Sequence, residues 1–128
     1  MNYWLMKSEP SSYSWDQLVK DQKTSWTGVR NFQASNNLKT MKIGDRVFFY
    51  HSNEGLAVVG IAEVAKTYYP DPTDKTERFG MVDIKPVMPL KTPVTMADIK
   101  KDAKLKDMVL VNNSRLSVQP VKIGRAHV

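Results

Sequence analysis

Cysteine is missing from all 128 residues, and histidine occurs only at His51 and His127. The first absence removes disulfides, thiolate metal sites and a cysteine nucleophile. Two histidines so far apart supply no metal-ligand set, so neither a metal nor a cofactor is expected. No Gly-x-Ser-x-Gly elbow, phosphate-cradling glycine loop or dinucleotide fingerprint occurs either. No apolar run is long enough to span a bilayer, and the segment from Met1 to Lys7 lacks the basic start of a signal peptide. The expected setting is away from membranes, in the cytoplasm, or in the nucleus if the source is eukaryotic. Repeats and low-complexity tracts are absent, so residues 1–128 are expected to form one monomeric domain.

What the chain has instead is positive charge and a concentrated polar-aromatic segment. The formal net charge is +6 and the isoelectric point about 9.6. Residues 1–64 carry seven Lys or Arg against six Asp or Glu, whereas residues 65–128 carry twelve against seven. An anionic partner fits this balance, nucleic acid first, although a merely soluble surface fits it too. The segment from Ser25 to Leu38 holds Trp26, Arg30 and four side-chain amides, Asn31, Gln33, Asn36 and Asn37. Buried amides must find partners or cost free energy, so the mixture signals either a locked loop or a ligand pocket.

Local patterns give the elements around this segment. Tyr3-Trp4-Leu5-Met6 reads as a buried strand that opens onto a polar turn at Pro10. Ser14, with Gln17 three residues on, is a capping-box pattern for a short helix presenting Trp15, Leu18 and Val19 on one face. Asn31 is expected to cap a second helix through Leu38. Residues 46–50 and 57–64 have strand composition, and Gly60 within the second marks a bulge or a close approach to the backbone. Residues 66–77 read as a loop, and a strand from Arg78 is expected to stop at Pro86. Helical turns are expected at 96–100 and 102–108, capped by Thr95 and Asp102. A closing strand over 115–121 puts Leu116, Val118 and Pro120 on one face and Arg115, Ser117 and Gln119 on the other, as a solvent edge or a groove wall. Six or so short strands with two or three helices imply an α+β fold, a curled and mostly antiparallel β-barrel.

Catalysis has little to draw on. His51 is the one candidate base, with Ser52 beside it and Asp45 as orienter, but neighbours on a strand point to opposite faces. His51 reads equally as a hydrogen-bonded turn residue. A binding module fits better, because an aromatic plate with fixed donors and acceptors suits an unpaired base, and stacking is worth about 1–3 kcal/mol. Trp26 is the expected plate, with a core indole as the competing reading.

Several ordered motifs together resemble the EVE domain family. They are Lys7-Ser8-Glu9-Pro10, Trp26 to Ala34 followed by Asn36-Asn37-Leu38, Gly44-Asp45, Phe49-Tyr50-His51-Ser52-Asn53, Gly60 to Val64, Tyr69-Pro70-Asp71-Pro72 and Arg115 to Pro120. The resemblance implies a PUA-like fold, related to the YTH and ASCH domains, that binds DNA or RNA carrying modified bases, with modified cytosine foremost. It implies a base pocket made by Ser8, Glu9, Trp26, Gly28, Val29, Asn31, Tyr50, His51 and Ser52, and phosphate contacts from Lys7, Arg30 and Arg115. It implies no catalytic residue, metal or cofactor. One departure stands out: Phe79 occupies a position where the family pattern has Trp. The other readings are an RNA-binding domain of the same fold without modification selectivity, an enzyme acting on modified nucleotides, and a nucleoside sensor.

Overall fold

The computed structural model describes residues 2–52, 56–95, 97 and 116–121. In chain order they form β1 (Tyr3–Ser8), α1 (Trp15–Asp21), β2 (Thr24–Ser25), α2 (Phe32–Thr40), β3 (Arg46–His51), β4 (Ala57–Pro70), β5 (Gly80–Thr95) and β6 (Val118–Val121). All six strands share one sheet, ordered β2-β5-β4-β3-β1-β6. Every neighbouring pair is antiparallel except β1 and β3, which run parallel with Trp4 beside Val47 and Ser8 beside His51. Both helices lie between β1 and β3 in sequence, which gives the chain the length a parallel return needs. Among the described residues the sheet is open, with β2 and β6 at its edges, so they do not themselves close the expected barrel. Pairing slips once between β3 and β4 and at four points between β4 and β5, and each such bulge adds local twist to the sheet.

The helices form where the caps predict. Ser14 accepts a hydrogen bond from the Gln17 amide, and Asn31 Oδ1 accepts one from the Ala34 amide. The capping box is half made, because the Gln17 side chain reaches forward to Asp21 and not back to Ser14. Trp15 and Leu18 are buried, but Val19 is 41 % exposed, so the buried face of α1 is narrower than its spacing suggested. Trp15, Leu18, Ala34 and Leu38 pack with Trp4, Met6, Val47, Phe49, Val64, Val82 and Ile84 in one core. Each fully buried Leu, Met, Val, Ile or Phe among them contributes about 1.5–3 kcal/mol. Asn37 donates from its amide to Val118 O, tying α2 to β6, and Asp45 accepts from the Asn2 and Lys42 amides and the Trp4 indole. Asp45 is therefore a fold latch, not a partner for His51.

Two sequence expectations fail along the β4–β5 ribbon. Strand β4 continues to Pro70, through the first part of the expected loop, and β5 runs past Pro86 to Thr95. Proline is tolerated there because β2 covers β5 only at Asp83 and Ile84; beyond them, among the described residues, that side of β5 is a sheet edge with no ladder bond to lose. The helical turns expected at 96–100 and 102–108 lie outside the described residues, apart from Ala97. In β6, Gln119 is buried and Pro120 exposed, the reverse of the core face expected for Pro120.

Candidate functional site

The end of β1 and the segment joining β2 to α2 enclose a cleft of about 480 Å³. Lys7, Ser8 and Glu9 form one wall, with Ser12 and Tyr13 from the turn that follows; residues 24–30 form another, and Ser117 contributes from just before β6. The turn is local in origin: Glu9 O accepts from the Ser12 and Tyr13 amides, and Ser8 Oγ donates to Tyr13 O. Ser8 is thereby buried with its proton committed, leaving its oxygen as an acceptor. The Lys7 amide donates to Ser117 O, which fixes β1 against the approach to β6. Burial pushes the Lys7 ammonium below its ordinary pKa, and its Nζ lies 5.9 Å from the centre of the Tyr50 ring.

Trp26 sits between core and cleft. Its amide donates to Val82 O, continuing the β2–β5 pairing by one residue, and its ring meets Phe49 edge-on at 5.8 Å. The indole is half-buried, so part of it seals the core while the rest lines the cleft. Beyond it Gly28 takes φ +85°, a left-handed conformation that a side chain would strain, and turns its amide onto Asp71 Oδ2 at 2.9 Å. Val29 is buried in the core and also helps line the cleft. Arg30 also lines it, but Nη1 donates to Asp71 and to Val29 O, and Nη2 donates to Thr73 Oγ1.

Of the residues singled out in the sequence, Lys7, Ser8, Glu9, Trp26, Gly28, Val29 and Arg30 come together here, and four others do not. Asn31 spends its side-chain oxygen on the α2 cap. Tyr50 is 2 % exposed and shares its side of β3 with Phe48, while Phe49 points into the helix-covered core; burial pushes its phenol up, and no described group bonds its hydroxyl. His51 Nε2 accepts from the Trp15 amide at the start of α1. Ser52 pairs through its amide with Ser8 O. Arg115 lies outside the described residues. Sequence reasoning missed Tyr13, Ser12, Thr24, Thr27 and the placement of Ser117, whose face of the last strand it left open between a solvent edge and a groove wall. It also missed the role of Asp71, which entered only as part of the Tyr69-Pro70-Asp71-Pro72 motif and of the expected loop.

His51 has a consequence for pH. Burial lowers its pKa below the ordinary value, opposed by the nearby Asp16 charge. A neutral Nε2 is required to accept from Trp15, so the contribution is complete above about pH 6.5 and is lost as the pH falls below it. The melting temperature is expected to fall as the pH is lowered below about 6.5, and His51→Gln should flatten that dependence. Equal slopes for variant and parent would show that His51 carries no such linkage. Among the described residues, no three His, Cys, Asp or Glu side chains gather as a metal would require.

Comparison with known proteins gives these residues a context. The EVE domain profile matches residues 2–127. Human thymocyte nuclear protein 1 is 35 % identical over 94 % of this chain and 68 % of its own length. An NMR structure of a Rhodopseudomonas palustris protein superposes with a TM-score of 0.93 at 53 % identity, covering 98 % of this chain and 88 % of that one. A crystal structure of human THYN1 in complex with 5-methylcytosine-containing DNA superposes with a TM-score of 0.85 at 34 % identity, covering 95 % of this chain and 91 % of that one.

Proposed function

The chain belongs to the EVE domain family, and from that premise we propose that it is a nucleic-acid-binding module that takes a modified or flipped base into the cleft over Trp26. The observation that carries this reading is the partly buried indole at the edge of the core, lining a cleft walled by Ser8, Glu9 and Lys7. A site of about 480 Å³ is of the size small ligands occupy. Trp26 stacks the base, the Ser8 oxygen and the Glu9 carboxylate meet its hydrogen-bonding edge, and Lys7 meets a phosphate. Arg115 is retained as a phosphate contact on sequence grounds. The 5-methylcytosine DNA bound by the human relative makes modified cytosine in DNA the first ligand to test. No catalytic step is assigned, since the one candidate base, His51, is engaged with the Trp15 amide.

Physical chemistry limits the selectivity. One buried methyl is worth about 0.8 kcal/mol, a factor of roughly four. A polar substituent whose absence leaves a buried partner unpaired discriminates more strongly. The cleft is lined by hydroxyl-bearing residues, Ser12, Thr27 and Ser117 among them, so a hydroxymethyl group has more polar partners there than a methyl. Fluorescence anisotropy with oligonucleotides differing only in plain, 5-methyl or 5-hydroxymethyl cytosine tests the reading. Tighter binding of a modified strand is the expected result. Equal binding of all three, weakening steeply with salt, would reduce the protein to a general nucleic-acid binder.

A further inference from the structure

We propose that Asp71 is the positioning residue of the cleft and that Arg30 acts as its partner in a latch, not as a phosphate ligand; the inference rests on the cleft being the nucleic-acid site. Asp71 follows the last residue of β4, and its carboxylate is wholly removed from solvent. Such a charge is tolerated only when its lone pairs are satisfied, and here the two oxygens divide the task. Oδ1 accepts from the Thr73 amide at 2.8 Å and the Thr73 hydroxyl at 2.6 Å, closing its own turn. Oδ2 accepts from the Gly28 amide at 2.9 Å and Arg30 Nη1 at 3.2 Å, both more than forty positions away in the chain. One oxygen builds the turn and the other grips the cleft wall. Burial opposes the charge, but the bonds from Thr73, Gly28 and Arg30 hold the carboxyl below its ordinary pKa, so it is ionised at neutral pH.

Arg30 is enclosed on several sides. Three of its five N–H groups are committed to Asp71, Val29 O and Thr73 Oγ1. Its guanidinium also lies 5.9 Å from the centre of the Phe79 ring, which in turn packs against Phe32 at 4.9 Å. With the Asp71 carboxylate beside it, the positive charge that a phosphate would feel is largely cancelled at this point of the rim. What remains is geometry. The latch holds Gly28 in its left-handed turn, and with it the backbone from Trp26 to Arg30, before any ligand arrives, so the ordering cost falls on folding and not on binding. Phe79, the departure from the family pattern, then serves as the plate beneath the latch.

Two readouts test this. Without nucleic acid, hydrogen exchange at the Gly28 amide should accelerate in both Asp71→Asn and Arg30→Gln; an unchanged rate in both would overturn the latch. With nucleic acid, Arg30→Gln should weaken binding by roughly tenfold, while the slope of log affinity against log salt stays that of the parent. A slope shallower by about 0.7–0.9, the signature of one lost phosphate contact, would overturn the assignment and return Arg30 to the phosphates. Arg30 is 40 % exposed, so its variant is expected to fold even where Asp71→Asn does not. If the parent protein binds no nucleic acid, the functional reading fails, and the exchange rate at Gly28 still decides the latch.

Discussion

Trp26→Ala is expected to weaken binding to a modified oligonucleotide by roughly 5- to 150-fold, the range that corresponds to losing a base-stacking contact of about 1–3 kcal/mol. The same substitution is expected to cost stability, because part of the indole rests edge-on against Phe49 and the core. A fully buried tryptophan would cost about 3–5 kcal/mol on truncation. Trp26 is half-buried, so about 1–3 kcal/mol is expected, which a domain of ordinary stability survives. The two losses separate in Trp26→Phe, which keeps a smaller plate and part of the contact with Phe49 and should recover much of both. Circular dichroism melts run beside the titrations distinguish the outcomes. A folded Trp26→Ala protein that binds as tightly as the parent would remove the indole from recognition and leave it as a core residue alone.

Gly60→Ala is expected to have a large effect on stability for a small change in side chain. A β-carbon at Gly60 would lie 2.5 Å from Trp15 Cε2 and 2.6 Å from Cδ2 and Cζ2, closer than carbon atoms approach without displacement. Trp15 has little freedom to yield: its ring packs against Phe49 at 5.6 Å, and its amide is held by His51. Overpacking of this kind costs about 1–3 kcal/mol, which for a domain of this size lowers the melting temperature by roughly 4–12 °C. Trp15→Phe removes the fused ring system that the methyl would strike. It should destabilise the parent by leaving a void, yet cost less in the Gly60→Ala background, so the double variant should be more stable than the sum of the single effects. Strict additivity in denaturant melts would contradict the contact between Gly60 and Trp15.

The parts of this fold that were legible in the sequence are those fixed by near neighbours. Ser14 and Asn31 announce their helices because a cap acts over three residues. Gly60 announces a close approach because only glycine leaves room for one, although the sequence does not say that Trp15 makes it. The crowding of amides around Trp26 offered two readings, and the structure divides the stretch between them. Asn31 and Asn37 lock α2 in place, while Trp26 and Gly28 line the cleft. Family resemblance, carried by ordered motifs, pointed to the residues around the cleft but could not distinguish those that line it from those that support it. Tyr50 and His51 illustrate the difficulty. They belong to the same motif, yet alternation along β3 sends Tyr50 to the side of Phe48 and His51 to the side of Phe49, where it meets the start of α1. Asp71 was illegible for a different reason: its partners at Gly28 and Arg30 are brought to it only by the long β4–β5 ribbon, whose length the prolines in the sequence concealed.

Recognition in this cleft requires a base lying against Trp26, and the indole N–H signals observe this directly. The chain has three tryptophans, of which Trp4 and Trp15 are buried, the former donating its indole N–H to Asp45 at 3.1 Å. In a two-dimensional NMR titration with an oligonucleotide carrying a single 5-methylcytosine or 5-hydroxymethylcytosine, the Trp26 indole resonance is expected to shift strongly. Trp4 and Trp15 should hardly move, and the matched plain oligonucleotide should shift Trp26 less at equal concentration. An oligonucleotide that binds while leaving the Trp26 resonance in place would contradict recognition over Trp26, because the nucleic acid would then be held somewhere other than this cleft.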